Sequence, residues 1–92
     1  MEQFGDEEVV KEIYAEYANS IREKLPELEA ALTAENWSSL DQMAHAVKGN
    51  ALATGDTDTA NVAVALRIAA KMSEKDTARS LLDKLLELAK DI

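Results

Sequence analysis

Asn36-Trp37-Ser38-Ser39-Leu40-Asp41-Gln42-Met43-Ala44-His45-Ala46-Val47-Lys48-Gly49-Asn50-Ala51-Leu52-Ala53-Thr54-Gly55 reads as one amphipathic helix with both ends marked. Asn36 is a natural N-cap, because its side-chain oxygen can accept from the free N–H groups of the first turn. Trp37, Leu40, Ala44, Val47 and Ala51 recur at steps of three or four and form one inward face, which carries the helix through Ala53. Gly55 then stops it, since glycine takes the left-handed conformation that closes a helix. Asp56 or Thr57 at once offers the cap of another helix, so the chain must turn back as a tight helical hairpin.

The flanking sequence repeats the pattern. Upstream, Asp6 can cap a helix with Glu7 and Glu8 in its first turn, and Val10, Ile13, Tyr17, Ile21, Leu25, Leu28 and Leu32 line one face to about Ala34. Tyr14 and Tyr17 read as core or core-edge. Pro26 falls inside this stripe and predicts a kink or local break. Downstream, a third helix runs to about Met72, apolar at Val62, Leu66 and Ala69 on one side and at Val64 and Ile68 on another. Arg67 and Lys71 read as its solvated face. Ser73 is the expected cap of a last helix, with Asp76 in its first turn and Ala78, Leu81, Leu82, Leu85, Ala89 and Ile92 inward. Four amphipathic helices with short connections fold back on their neighbours. The expected fold is all-α, an antiparallel up-down-up-down four-helix bundle forming one domain over residues 1–92.

Composition agrees and narrows the function. The 92 residues include three Gly, one Pro, no Cys and one His. A disulfide framework, a thiolate metal site, a cysteine nucleophile and a multi-histidine site are therefore excluded, and no metal or other cofactor is expected. The formal charge of -8 disfavours nucleic acid and anionic lipid, which leaves another protein as the expected partner. No apolar stretch approaches the ~20 residues of a membrane span, and the acidic start is unlike a signal peptide, so a cytoplasmic protein is expected. The surplus apolar side of the third helix permits a dimer, although a monomer is the expectation. No HExxH, nucleophile elbow or phosphate-binding glycine loop is present, so the chain does not read as an enzyme with its own nucleotide site.

The single histidine carries the chemistry. At 100° per residue, His45 lies about 130° from the midline of the inward stripe, which places it on the exposed side. An exposed imidazole titrating near about 6.5 is largely neutral at cytosolic pH and offers a lone pair to phosphorus. Lys48, one turn on, places an ammonium where it can stabilise phosphoryl oxygens, against the plainer reading of a solvated lysine. Gly49 is unfavourable in a helix by about 0.5–1 kcal/mol relative to Ala. It is explained by clearance, either for a partner's approach or for packing inside the bundle. Leu52 and Ala53 beyond it are either weakly buried or part of a docking patch. Between Asp41 and Asp56 no acidic residue occurs, although the chain has eighteen acids. An acidic magnesium site on a partner would accept such a face.

His45-Ala46-Val47-Lys48-Gly49-Asn50-Ala51 followed by Gly55 resembles the signature of the histidine-containing phosphotransfer (HPt) family, H-x-x-K-G with small residues and a Gly ten positions after the His. Phe4-Gly5-Asp6-Glu7-Glu8, Leu25-Pro26-Glu27-Leu28 and Ala34-Glu35-Asn36-Trp37 are also similar to stretches of such domains. The resemblance implies a four-helix bundle, a phosphohistidine at His45, and docking of receiver domains on the face of helices two and three. Gly49, Leu52 and Ala53 would belong to that face and Lys48 would stabilise the phosphate. The implied partners are response-regulator receiver domains and a sensor (hybrid) histidine kinase. Four positions depart from the pattern: Asn50 where Ser or Ala is common, Thr54 where an apolar residue usually precedes the Gly, Asp56 where a small residue is usual, and Arg67 where Glu is frequent.

Two rival readings use the same residues. Ser38-Ser39-Leu40-Asp41 faintly resembles the Asp-Ser-Leu of acyl carriers, but the Asp before the Ser is missing. A pure interaction module that keeps the bundle without carrying phosphate is the alternative, and an acid-labile phosphate on His45 distinguishes the two.

Overall fold

A computed structural model describes the backbone of residues 3–90 and the side chains of residues 15–90. Four helices follow one another: α1 (Gln3–Thr33), α2 (Trp37–Thr54), α3 (Thr57–Lys71) and α4 (Lys75–Lys90). α1 packs on α2 and α4, and α3 packs on α2 and α4, so each helix has two neighbours. The cross-helix contacts run in opposite order. Arg79 of α4 reaches Glu29 of α1 at 2.7 Å, whereas the earlier Lys75 reaches the later Glu35 at 3.4 Å. The arrangement is an antiparallel four-helix bundle.

Tyr17, Ile21, Leu25, Leu28 and Leu32 of α1 are buried, as are Leu40, Ala44, Val47 and Ala51 of α2, Val62, Leu66 and Ala69 of α3, and Ala78, Leu82, Leu85 and Ala89 of α4. Trp37 and Leu81 are partly buried against them. Val10, Ile13, Tyr14 and Ile92, also expected inward or at the core edge, lie outside the described side chains, as do Glu7 and Glu8. A fully buried leucine contributes about 1.5–3 kcal/mol, so these stripes rather than the surface ion pairs hold the bundle.

All three connections use one turn. Glu35 (φ 56°), Gly55 (φ 86°) and Ser73 (φ 55°) each take the left-handed conformation. In each, the following N–H bonds back across the last helical turn: Asn36 to the Ala31 carbonyl, Asp56 to Ala51 and Glu74 to Ala69, at 2.8, 2.8 and 3.0 Å. These bonds satisfy carbonyls that a helix end otherwise leaves free. The same residue then begins the next helix. Asn36 and Asp56 cap as expected, accepting from Ser39 N–H and Thr59 N–H.

Three expectations are corrected. Ser73 does not cap α4: a left-handed residue cannot adopt the extended conformation of an N-cap, and the Glu74 carbonyl accepts from Ala78 instead. α1 begins at Gln3, so Asp6 lies inside the helix rather than at its cap; a carboxylate in the first turn is favoured by the dipole as it is at the cap. Of the kink or break expected at Pro26, the break does not occur. α1 runs through it, with Pro26 on the exposed side of the helix.

Asp56 also ties α1 to the α2–α3 turn. Its Oδ2 accepts from the Tyr17 hydroxyl at 2.7 Å and from the buried Thr59 hydroxyl at 2.7 Å, and its Oδ1 accepts from Thr59 N–H at 3.2 Å. Burial pushes the carboxyl upward, but the bonds from Thr59 and Tyr17 outweigh it and hold the pKa below the ordinary carboxylate value.

Two expectations for stability follow from this packing. Leu85→Ala lowers the unfolding free energy by about 2–5 kcal/mol in urea titrations, while the exposed Lys84→Ala changes it by less than about 0.5 kcal/mol. Asp56→Ala lowers stability near neutral pH by about 0.5–2 kcal/mol. Because the folded-state pKa of Asp56 is depressed, its contribution is complete above the unfolded value of about 3.9. It disappears as pH falls through the lower folded value. Chemical denaturation across the acid range therefore shows parent and variant converging at low pH.

Candidate functional site

The rotation of α2 is set by Leu40, Ala44, Val47 and Ala51, each 0% exposed. With that face inward, His45 is exposed, Lys48 half-buried and Gly49 exposed, all within one turn. Lys48 makes no hydrogen bond or ion pair with the other described residues, so its ammonium is uncommitted. A Cβ added at Gly49 meets no atom within 4 Å. Packing inside the bundle therefore does not account for the glycine, and the space beside His45 is open to another molecule.

Arg67 is not part of a solvated face. It reaches from α3 to α2, where its Nε donates to Asp41 Oδ1 at 2.8 Å and its Nη1 donates to His45 Nδ1 at 3.0 Å. Asp41 and His45 are one helical turn apart and share a face. A guanidinium has donors only, so Nδ1 must supply its lone pair to this bond. The helical hairpin held the missed signal. His45 lies ten residues before Gly55 and Asp41 fourteen, while Arg67 lies twelve after it, so antiparallel pairing brings Arg67 level with both.

The carboxylates bounding the acid-free stretch are both engaged within the chain, Asp41 by Arg67 and Asp56 by Tyr17 and Thr59. The charge nearest the imidazole is thus positive on balance. Asn50 links α2 to α1. Its Nδ2 donates to Ser20 Oγ at 3.4 Å, and Lys24 donates to the same oxygen at 3.0 Å.

Leu52 is 58% exposed and stands two turns beyond His45 on the same line. Ala53 is exposed too, but it turns toward α1 and lines a groove with Glu16, Tyr17, Ser20, Asn50 and Thr54, where Glu16 brings an exposed carboxylate. Val64 and Ile68 of α3 and Met72 just after it are exposed as well, which realises the surplus apolar side of that helix. Among the described residues no three His, Cys, Asp or Glu side chains converge as a metal site would require.

Residues 12–92 match the Hpt domain family. The chain belongs to this family. Hpt domains are phosphocarrier modules of phosphorelays and act by histidine phosphotransfer, without being kinases. No curated protein and no solved structure matches the chain. The matched segment contains all of α2, α3 and α4, and with them the only histidine of this Hpt domain. No helix among the described residues is long and apolar enough to cross a membrane.

The open surroundings of Gly49 yield a direct expectation. Gly49→Ala raises stability by about 0.5–1 kcal/mol, because the methyl group relieves the helical penalty of glycine without a clash. Thermal melts of the two proteins measure the difference.

Proposed function

We propose that this Hpt domain accepts a phosphoryl group on His45 from the phosphoaspartate of one receiver domain and passes it to an aspartate of another. The observation that carries the reading is the exposed, sole histidine with an uncommitted Lys48 and the unobstructed Gly49 in the same turn. A ring nitrogen of His45 attacks phosphorus in line. The N–P bond forms as the P–O bond to the aspartyl carboxyl breaks, and the carboxylate leaves with the electron pair while the other ring nitrogen keeps its proton. Return to a second aspartate reverses these bonds. Lys48 compensates the charge on the phosphoryl oxygens, and Gly49 admits the donor's active site.

Gly49 and Leu52 belong to the docking face, and Ala53 extends it toward α1. The exposed Val64 and Ile68 continue it onto α3. Partners are response-regulator receiver domains and a sensor (hybrid) kinase in the cytoplasm, whose acidic magnesium sites suit the acid-free stretch of α2 around His45, where Asp41 is paired with Arg67. The phosphate arrives from such a partner, in keeping with Hpt domains being phosphocarriers and not kinases.

A radiolabel chase tests the reading. Label on a phosphorylated receiver passes to the chain and leaves it when a second receiver is added. His45→Gln abolishes both steps while circular dichroism stays unchanged, because the exposed ring contributes little packing. Lys48→Ala slows transfer by on the order of tenfold or more without unfolding. A His45→Gln protein that still takes up label would contradict the proposal.

A further inference from the structure

The bond from Arg67 to His45 has a consequence for reactivity that rests on His45 being the phosphoacceptor. Since arginine can only donate, the ring it touches is neutral, with its lone pair at Nδ1 and its proton on Nε2. Neither nitrogen is then a ready nucleophile. Nδ1 has its lone pair engaged at 3.0 Å, and Nε2 carries the proton. Whichever nitrogen attacks, the guanidinium must leave first. Nδ1 needs its lone pair released, and Nε2 can lose its proton to Nδ1 only when that lone pair is free.

We infer that Arg67 caps His45 in the resting protein and that an incoming phosphoryl group draws it off and is then held by it. Asp41 is the pivot. It binds Nε at 2.8 Å and leaves the terminal nitrogens able to change partner without the arginine leaving α2. The Arg67 and Asp41 side chains are each only 25% exposed, so the pair is partly shielded from solvent. A phosphoryl dianion offers several acceptor oxygens to the guanidinium fork, whereas the imidazole offers one neutral lone pair, so the exchange runs toward the phosphate. Once the cap has moved, the transfer proceeds with the bond changes given above, and Lys48 and Arg67 both face the phosphoryl oxygens. The free domain is thereby guarded against electrophiles that bring no negative charge.

Two probes of opposite character test this in the full chain and in Arg67→Met, each checked for helicity. Diethyl pyrocarbonate is a neutral electrophile and cannot draw the arginine away. It modifies His45 faster in Arg67→Met than in the parent, by on the order of threefold to tenfold. A phosphorylated receiver shows the opposite sign, with slower transfer to Arg67→Met. Long-range proton–nitrogen spectra in mildly alkaline solution add a direct signature, a parent ring held as the Nε2–H tautomer with a hydrogen-bonded Nδ1 that the variant loses. Asp41→Asn, which keeps Arg67 but weakens its pivot, gives smaller changes of the same signs. Equal carbethoxylation rates in parent and Arg67→Met would overturn the cap. Faster carbethoxylation with unchanged or faster receiver transfer would overturn the exchange onto phosphate. If no receiver labels either protein, the phosphoacceptor reading fails on its own, and the first probe and the spectra still decide whether Arg67 caps the ring.

Discussion

Burial of Leu40, Ala44, Val47 and Ala51 determines how α2 can be turned, and the geometry around His45 depends on that. A helix has one rotation that hides these four side chains, and in it His45, Gly49 and Leu52 face outward along one line. The two alanines matter as much as the larger residues. They let α3 approach closely, and α3 contributes small buried residues of its own at Ala60, Ala63 and Ala70. Arg67 can span to Asp41 and His45 only because the two backbones are near. Hydrophobic packing with no chemistry of its own thus sets both the exposure of the imidazole and the distance over which a neighbouring helix can act on it.

Electrostatics then sorts the charged groups. In a chain with eighteen acids, a site meant to meet phosphate must keep carboxylates away or neutralise them. Sequence removes most of them from the neighbourhood, and hydrogen bonding engages the two at its borders. Asp56 accepts from Tyr17 and Thr59 at the turn, and Asp41 accepts from Arg67. Lys48 is left without a partner among the described residues and available to an anion. Asp56 and Arg67 are thus positions where this chain makes specific bonds to another helix.

Much of this was legible because it is local. The caps Asn36 and Asp56, the stop at Gly55, the buried stripes and the exposure of His45 follow from periodicity and turn chemistry over a few residues. The failures have different causes. Ser73 takes a left-handed turn although it is not glycine, and a serine before a helix looks like a cap until its φ is known. Pro26 is tolerated on the exposed side of α1, outside the buried stripe. Arg67 is the most consequential miss. Its partners are 22 and 26 residues away, and only the register of two antiparallel helices brings them together, which a reading of each helix alone does not contain.

The central claim is that His45 carries the phosphate. After exposure to a phosphorylated receiver, the tryptic peptide covering residues 25–48 contains the only histidine together with Thr33, Ser38 and Ser39. Mass spectrometry of that peptide under alkaline conditions, repeated after brief acid treatment, separates the possibilities directly. The account predicts one added phosphate, located on His45 by fragmentation and lost in acid. An unmodified peptide from a folded protein, or an acid-stable phosphate on one of the hydroxyl side chains, would contradict it.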